Sequence, residues 1–165
     1  MALGVGLLLV DRACAPEVRA AAGVQLTSGY DPAKPQPYDT IYVDDLCVEG
    51  ADRATVIGVE PVRAKHMSVT AFGLHLFKSD EPGIGAQPGP LVDTAVEWSH
   101  EVDATCSGPG SQHGPTSLNV EVHRDAPGDG IIEGLRILYR VGDAVHTVES
   151  DAVLEFCQTD ACFDR

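Results

Sequence analysis

The chain has 165 residues, the size of one domain, and its 44% hydrophobic and 22% charged residues are those of a folded globular protein. Acidic residues outnumber basic ones 25 to 11, a formal charge of -14. This excess argues against a nucleic acid partner and against adsorption to anionic lipid, both of which need a basic face.

In chain order, Ala2 to Val10 form an unbroken apolar and glycine run, well short of the roughly 20 residues that a spanning helix needs. No basic residue precedes it, as one would in a signal peptide. Residues 1–14 are therefore expected to be a partial membrane anchor or signal remnant, with a first strand or short core helix as the competing reading. Lipidation at Cys14 is disfavoured, because Asp11-Arg12 breaks the small-residue pattern before it. Residues 15–39 carry Pro16, Pro32, Pro35 and Pro37 and read as a Pro-rich extended linker, with a leading edge segment as the alternative, since proline removes a donor and restricts its neighbour.

Residues 40–165 are expected to form a β-sandwich domain. IYVDDLCV (41–48) is a first strand, with Asp44 and Asp45 read as solvated strand or edge charges. ATVIGVEPV (54–62) follows, where Pro61 suggests a sheet edge or a bend. In HMSVTAFGLHLF (66–77) the alternation slips around Phe72-Gly73, which predicts a bulge. Two Gly/Pro loops flank 91–106, a run long enough for one strand or two. SLNVEVHR (117–124) puts Leu118, Val120 and Val122 on one face and Asn119, Glu121 and His123 on the other, the pattern of a half-buried strand. IIEGLRILYRV (131–141) aligns Leu135, Ile137, Tyr139 and Val141. Gly142-Asp143 then predicts a tight hairpin into AVHTV, and AVLEFC (152–157) closes the set. About seven or eight strands and no helix point to an all-β antiparallel sandwich, with a barrel as the alternative.

Five cysteines are present, without a C-x-x-C pair. Cys157 and Cys162 can close a small disulfide loop, Cys47 and Cys106 suit a bridge between strands, and Cys14 is left over. Paired spacing favours an oxidising compartment over reduced core thiols, so the expected location is extracytoplasmic, secreted or membrane-tethered.

The segment 117–162, a Leu-Tyr strand, a Gly-Asp turn, another strand and then a cysteine, resembles the final hairpin and last strand of immunoglobulin-like domains of bacterial exported proteins. The resemblance implies an immunoglobulin-like sandwich and no functional residues. Cys47, Trp98 and Cys106 do not have antibody-type spacing.

Chemistry-bearing patterns are sparse. No phosphate-binding loop is present, nor a G-x-S-x-G. Ser107 and Ser111 lie near His113 on a Gly/Pro loop, a poor platform for a hydrolytic site, and Cys106 near His100 is better read as a bridged sulfur. For a metal the candidates are His123 and His146, on strands able to neighbour each other, with Glu121 as a third ligand two residues from His123. Asp125, Asp129 and Glu133 miss the calcium-loop spacing and read as an acidic turn. No cofactor is expected. The leading expectation is a non-enzymatic envelope module that binds a protein or surface component and touches membrane only through an N-terminal anchor. The alternatives are a metal-dependent or hydrolytic enzyme using the histidines, and an acidic inhibitor or immunity protein for a cationic partner.

Overall fold

A computed structural model of the protein describes residues 15–29, 38–76, 85–106, 116–158 and 162. The expected anchor or signal remnant at 1–14, including Cys14, lies outside the described residues, as does the loop with Ser107, Ser111 and His113.

Among the described residues the only helical element is one 3-10 turn, Leu91–Asp93. The strands are β1 (Glu17–Ala20), β2 (Gln25–Gly29), β3 (Tyr38–Glu49), β4 (Ala54–Lys65), β5 (Met67–Leu76), β6 (Ala86–Pro88), β7 (Glu101–Val102), β8 (Thr116–Arg124), β9 (Gly130–Val141) and β10 (Ala144–Cys157). One sheet runs β1-β3-β8-β5, with β6 added on β3, and the other runs β2-β10-β9-β4-β7. The protein is thus an all-β sandwich. All pairings are antiparallel except β2 with β10, which is parallel. Without β2, β6 and β7, the orders β1-β3-β8-β5 and β10-β9-β4 match those of the two sheets of an immunoglobulin-type sandwich.

The expected alternation explains most of the core. Leu118, Val120 and Val122 of β8 and Leu135, Ile137 and Tyr139 of β9 are buried between the sheets. Each such side chain contributes about 1.5–3 kcal/mol by leaving water. The β9–β10 hairpin forms where Gly142-Asp143 predicts it, with Val141 opposite Ala144 and Gly142 at φ 58°. A glycine at the first central position of a two-residue turn allows that positive angle without strain.

Three expectations are corrected. Residues 15–29 are not linker: β1 pairs with β3, and the chain then crosses to the other sheet, where β2 pairs with β10. Backbone hydrogen bonds from Ala21 to Asp45 and from Val24 to Val43 hold the crossing, so prolines on either side do not prevent pairing. Strand β8 is not half-buried. Its second face is covered too, with Ser117, Asn119 and Glu121 all buried. The bulge of β5 lies between Val69 and Ala71, earlier than Phe72-Gly73, at Thr70, whose hydroxyl turns toward Glu121. The run 91–106 holds one strand, the two-residue β7. It runs as a strap across the sandwich, held by β7 on β4, by Ser99 against Leu74 and by Thr105 against Val48.

Candidate functional site

The three metal candidates do not converge. His123 lies on β8 in the first sheet and His146 on β10 in the second. His123 bonds the Asp125 carboxylate at 2.8 Å and packs on Tyr38, whereas His146 stacks on Tyr139. Glu121 does share the outer face of β8 with His123, but its oxygens are engaged: Thr70 Oγ1 donates to Oε1 at 2.6 Å and the Leu91 amide donates to Oε2 at 2.8 Å. At 8% exposure Glu121 is a structural carboxylate that grips the start of the strap. Asp125, Asp129 and Glu133 are likewise separate. Asp125 accepts from Ser68, Asp129 accepts from the Gln158 amide, and Glu133 pairs with Arg63. No group of three metal-ligating side chains is assembled among the described residues. His100 stacks on Phe72, and Cys106 is bridged, so these two do not form a thiol–imidazole pair.

The strap itself is built on small and aromatic residues. Gly73 of β5 lies under the Trp98 ring, and a Cβ there would stand 2.7 Å from Trp98 Cε3. Trp98 Nε1 donates to Leu91 O at 3.0 Å and to Thr94 Oγ1 at 2.9 Å, so the indole closes the strap back on its own 3-10 turn.

Asp44 is not a solvated edge charge. A register shift in β3 between Tyr42 and Asp44 leaves Val43 and Asp44 both facing inward, and Asp44 is only 1% exposed. A second shift, in β10 between Ser150 and Val153, aims Ser150 back at it. Ser150 Oγ donates to Asp44 Oδ2, and the Asp45 amide donates to Oδ1 at 2.8 Å. Burial pushes the Asp44 carboxyl above its ordinary value, opposed by these two bonds and by the Ala21 amide. The two sheets are thus joined at their irregularities by a buried polar contact between Asp44 and Ser150.

Past its bulge β3 turns Asp45 and Cys47 outward, toward β1. There an open pocket of about 390 Å³ is lined by Arg19, Ala20, Ala21, Asp45, Leu46, Cys47 and Cys106. Arg19 is paired with Glu17 at 2.8 Å and with Glu49, and these bonds raise the guanidinium pKa further above its ordinary value. Burial raises the Asp45 carboxyl, against a hydrogen bond from Tyr42. Burial, then the Asp45 charge, pushes the Tyr42 phenol up to about 12. At neutral pH the phenol therefore stays protonated, a hydroxyl able to donate to the Asp45 carboxyl. The pocket offers one neutralised cation, a carboxyl and apolar walls, among them the Cys47–Cys106 disulfide.

Both disulfides pair as the spacing suggested, Cys47 with Cys106 and Cys157 with Cys162. Their settings differ: Cys47 and Cys106 are half-buried beside the pocket, whereas Cys157 and Cys162 are 1% and 4% exposed. Neither Arg19 nor the pocket is legible in the sequence, where β1 reads as linker. No family model, curated protein or solved structure was found to match this chain.

Proposed function

We propose that the chain is an extracytoplasmic immunoglobulin-like sandwich module with a binding or structural role at the cell envelope, and not a catalyst. The observation that carries the reading is the pair of disulfides, which commits four of the five cysteines to cross-links within one sandwich. Such cross-links persist in oxidising compartments and are rare where thiols are kept reduced. The strand order supports the immunoglobulin-like part, because it extends over both sheets the likeness that 117–162 carries alone. The formal charge of -14 suits a module that remains soluble and steers toward cationic surfaces.

The test is to recover the protein from its native source under conditions that trap thiols, alkylate it without reductant, and weigh it. Four protected cysteines are expected, with the protein in the extracytoplasmic fraction. Alkylation of all five without reductant, or recovery in the cytosol, would overturn the reading.

A further inference from the structure

We infer that the Cys47–Cys106 bridge is a thiol–disulfide exchange site, opened by a dithiol that enters the pocket beside β1, and that its opening releases the 103–106 end of the strap while the sandwich stays folded. The inference deepens the extracytoplasmic reading, since it starts from the oxidised protein.

Access is the first support. Exchange requires a thiolate to reach a sulfur from outside. Cys47 and Cys106 line an open pocket of about 390 Å³ and are half-buried, so a small dithiol can come into contact with them. At the other bridge Cys157 is 1% and Cys162 4% exposed, which closes that route until the structure opens. The same chain thus carries one reachable bridge and one sealed bridge.

Position is the second support. Cys106 ends the described part of the strap, and its partner Cys47 sits on β3, against Arg19 of β1. Beyond the bridge, the last residues of the strap, 103–106, are held by two backbone bonds, Val48 to Ala104 at 2.7 Å and Cys106 to Val48 at 3.0 Å, and by the exposed pair of Arg53 with Asp103; of these four residues Ala104 alone is buried. Residues 91–102 have separate fastenings: Glu121 on Leu91, Trp98 over Gly73, Ser99 against Leu74, His100 on Phe72 and β7 on β4. The core strands β8, β9 and β10 take no bond from the bridge. Opening it therefore frees a local segment of few contacts, the kind that opens below the global unfolding free energy.

The chemistry balances. One thiolate of the dithiol attacks a sulfur of the bridge, giving a mixed disulfide and one cysteine thiolate. The second thiol of the reagent then displaces the other cysteine. The reagent leaves as its cyclic disulfide, two electrons have moved, and Cys47 and Cys106 are both thiols.

The experiment uses the full chain with Cys14→Ser, so that the fifth cysteine takes no part, and a graded series of dithiothreitol under native conditions. Free thiols are mapped by alkylation and peptide mass spectrometry. Cys47 and Cys106 are expected to label at least tenfold faster than Cys157 and Cys162. Amide exchange over 103–106 should then rise at least tenfold while β9 stays protected. Earlier opening of Cys157–Cys162, or the appearance of four thiols together with loss of β9 protection, would overturn the inference. So would selective opening with no change in exchange over 103–106. Five free thiols in the unmodified protein before any reductant would overturn the extracytoplasmic reading as well, which separates the two failures.

Discussion

The two bridges close loops of very different length, and this sets how much each stabilises the fold. Cys47–Cys106 spans a sequence separation of 59 and Cys157–Cys162 a separation of 5. In the chain-entropy model a cross-link stabilises by restricting the unfolded chain, as the logarithm of loop length. The expected contributions at 25 °C are about 4.2 kcal/mol for the long loop and about 2.1 kcal/mol for the short one. Burial predicts the opposite order, since the short loop holds the sealed sulfurs, so the comparison discriminates between the two effects. Plain cysteine-to-alanine pairs would mix cross-link with lost packing. The cleaner design keeps one bridge at a time, as C14S/C157A/C162A and C14S/C47A/C106A, and compares each variant oxidised and reduced by urea unfolding. With a urea slope of about 2 kcal/mol/M, the midpoint should fall by about 2 M on reducing the first variant and about 1 M on reducing the second. Equal losses, or a larger loss from the short loop, would refute the entropic reasoning.

Two further predictions concern the interior and the strap. The Asp44 carboxyl titrates above its ordinary value in the folded protein, so its contribution is fully present below the unfolded pKa and is lost as pH rises through the folded one. Asp44→Asn should therefore gain melting temperature over the natural protein at pH 7 and lose that advantage at pH 4. Ser150→Ala should cost on the order of 1–3 kcal/mol by removing a donor to a buried acceptor, with the larger loss at pH 7; a pH-independent difference for either variant would count against the account. Gly73→Ala would set a methyl against Trp98 and should destabilise by about 1–3 kcal/mol with a red-shifted indole emission, while an unchanged emission spectrum would show that the ring does not rest there.

How much could be read from sequence depends on where one face of a strand decides its pattern. In β9 and the second half of β10 one face is core and the other more open, so alternation and the Gly142 turn locate both strands. In β8 the inward face was legible and the covering of the outer face was not, since the strap reaches it from thirty residues away by way of Glu121 and Leu91. The inward turn of Asp44 did leave a trace. Ile41 and Val43 are apolar at odd positions and Leu46 and Val48 at even ones, and such a change of phase within one strand marks an inserted residue. Strands β1 and β2 are short, and Arg19, Gln25 and Thr27 gave them no apolar signature. The pocket depends on β1, so it was out of reach as well. The metal candidates failed because sequence could place Glu121 and His123 on one face but could not assign β8 and β10 to different sheets.

The parallel pairing of β2 with β10 has a mechanical consequence. Gln25 to Gly29 lie beside Val153 to Cys157 with both strands running the same way. A pull on the early chain and an opposite pull beyond β10 would slide these strands lengthwise, so their hydrogen bonds must rupture together and cannot unzip one by one. Stretching single molecules from residues 15 and 158 would read this as a high rupture force, and a tether passing through such a module could bear tension between two anchored surfaces without coming apart.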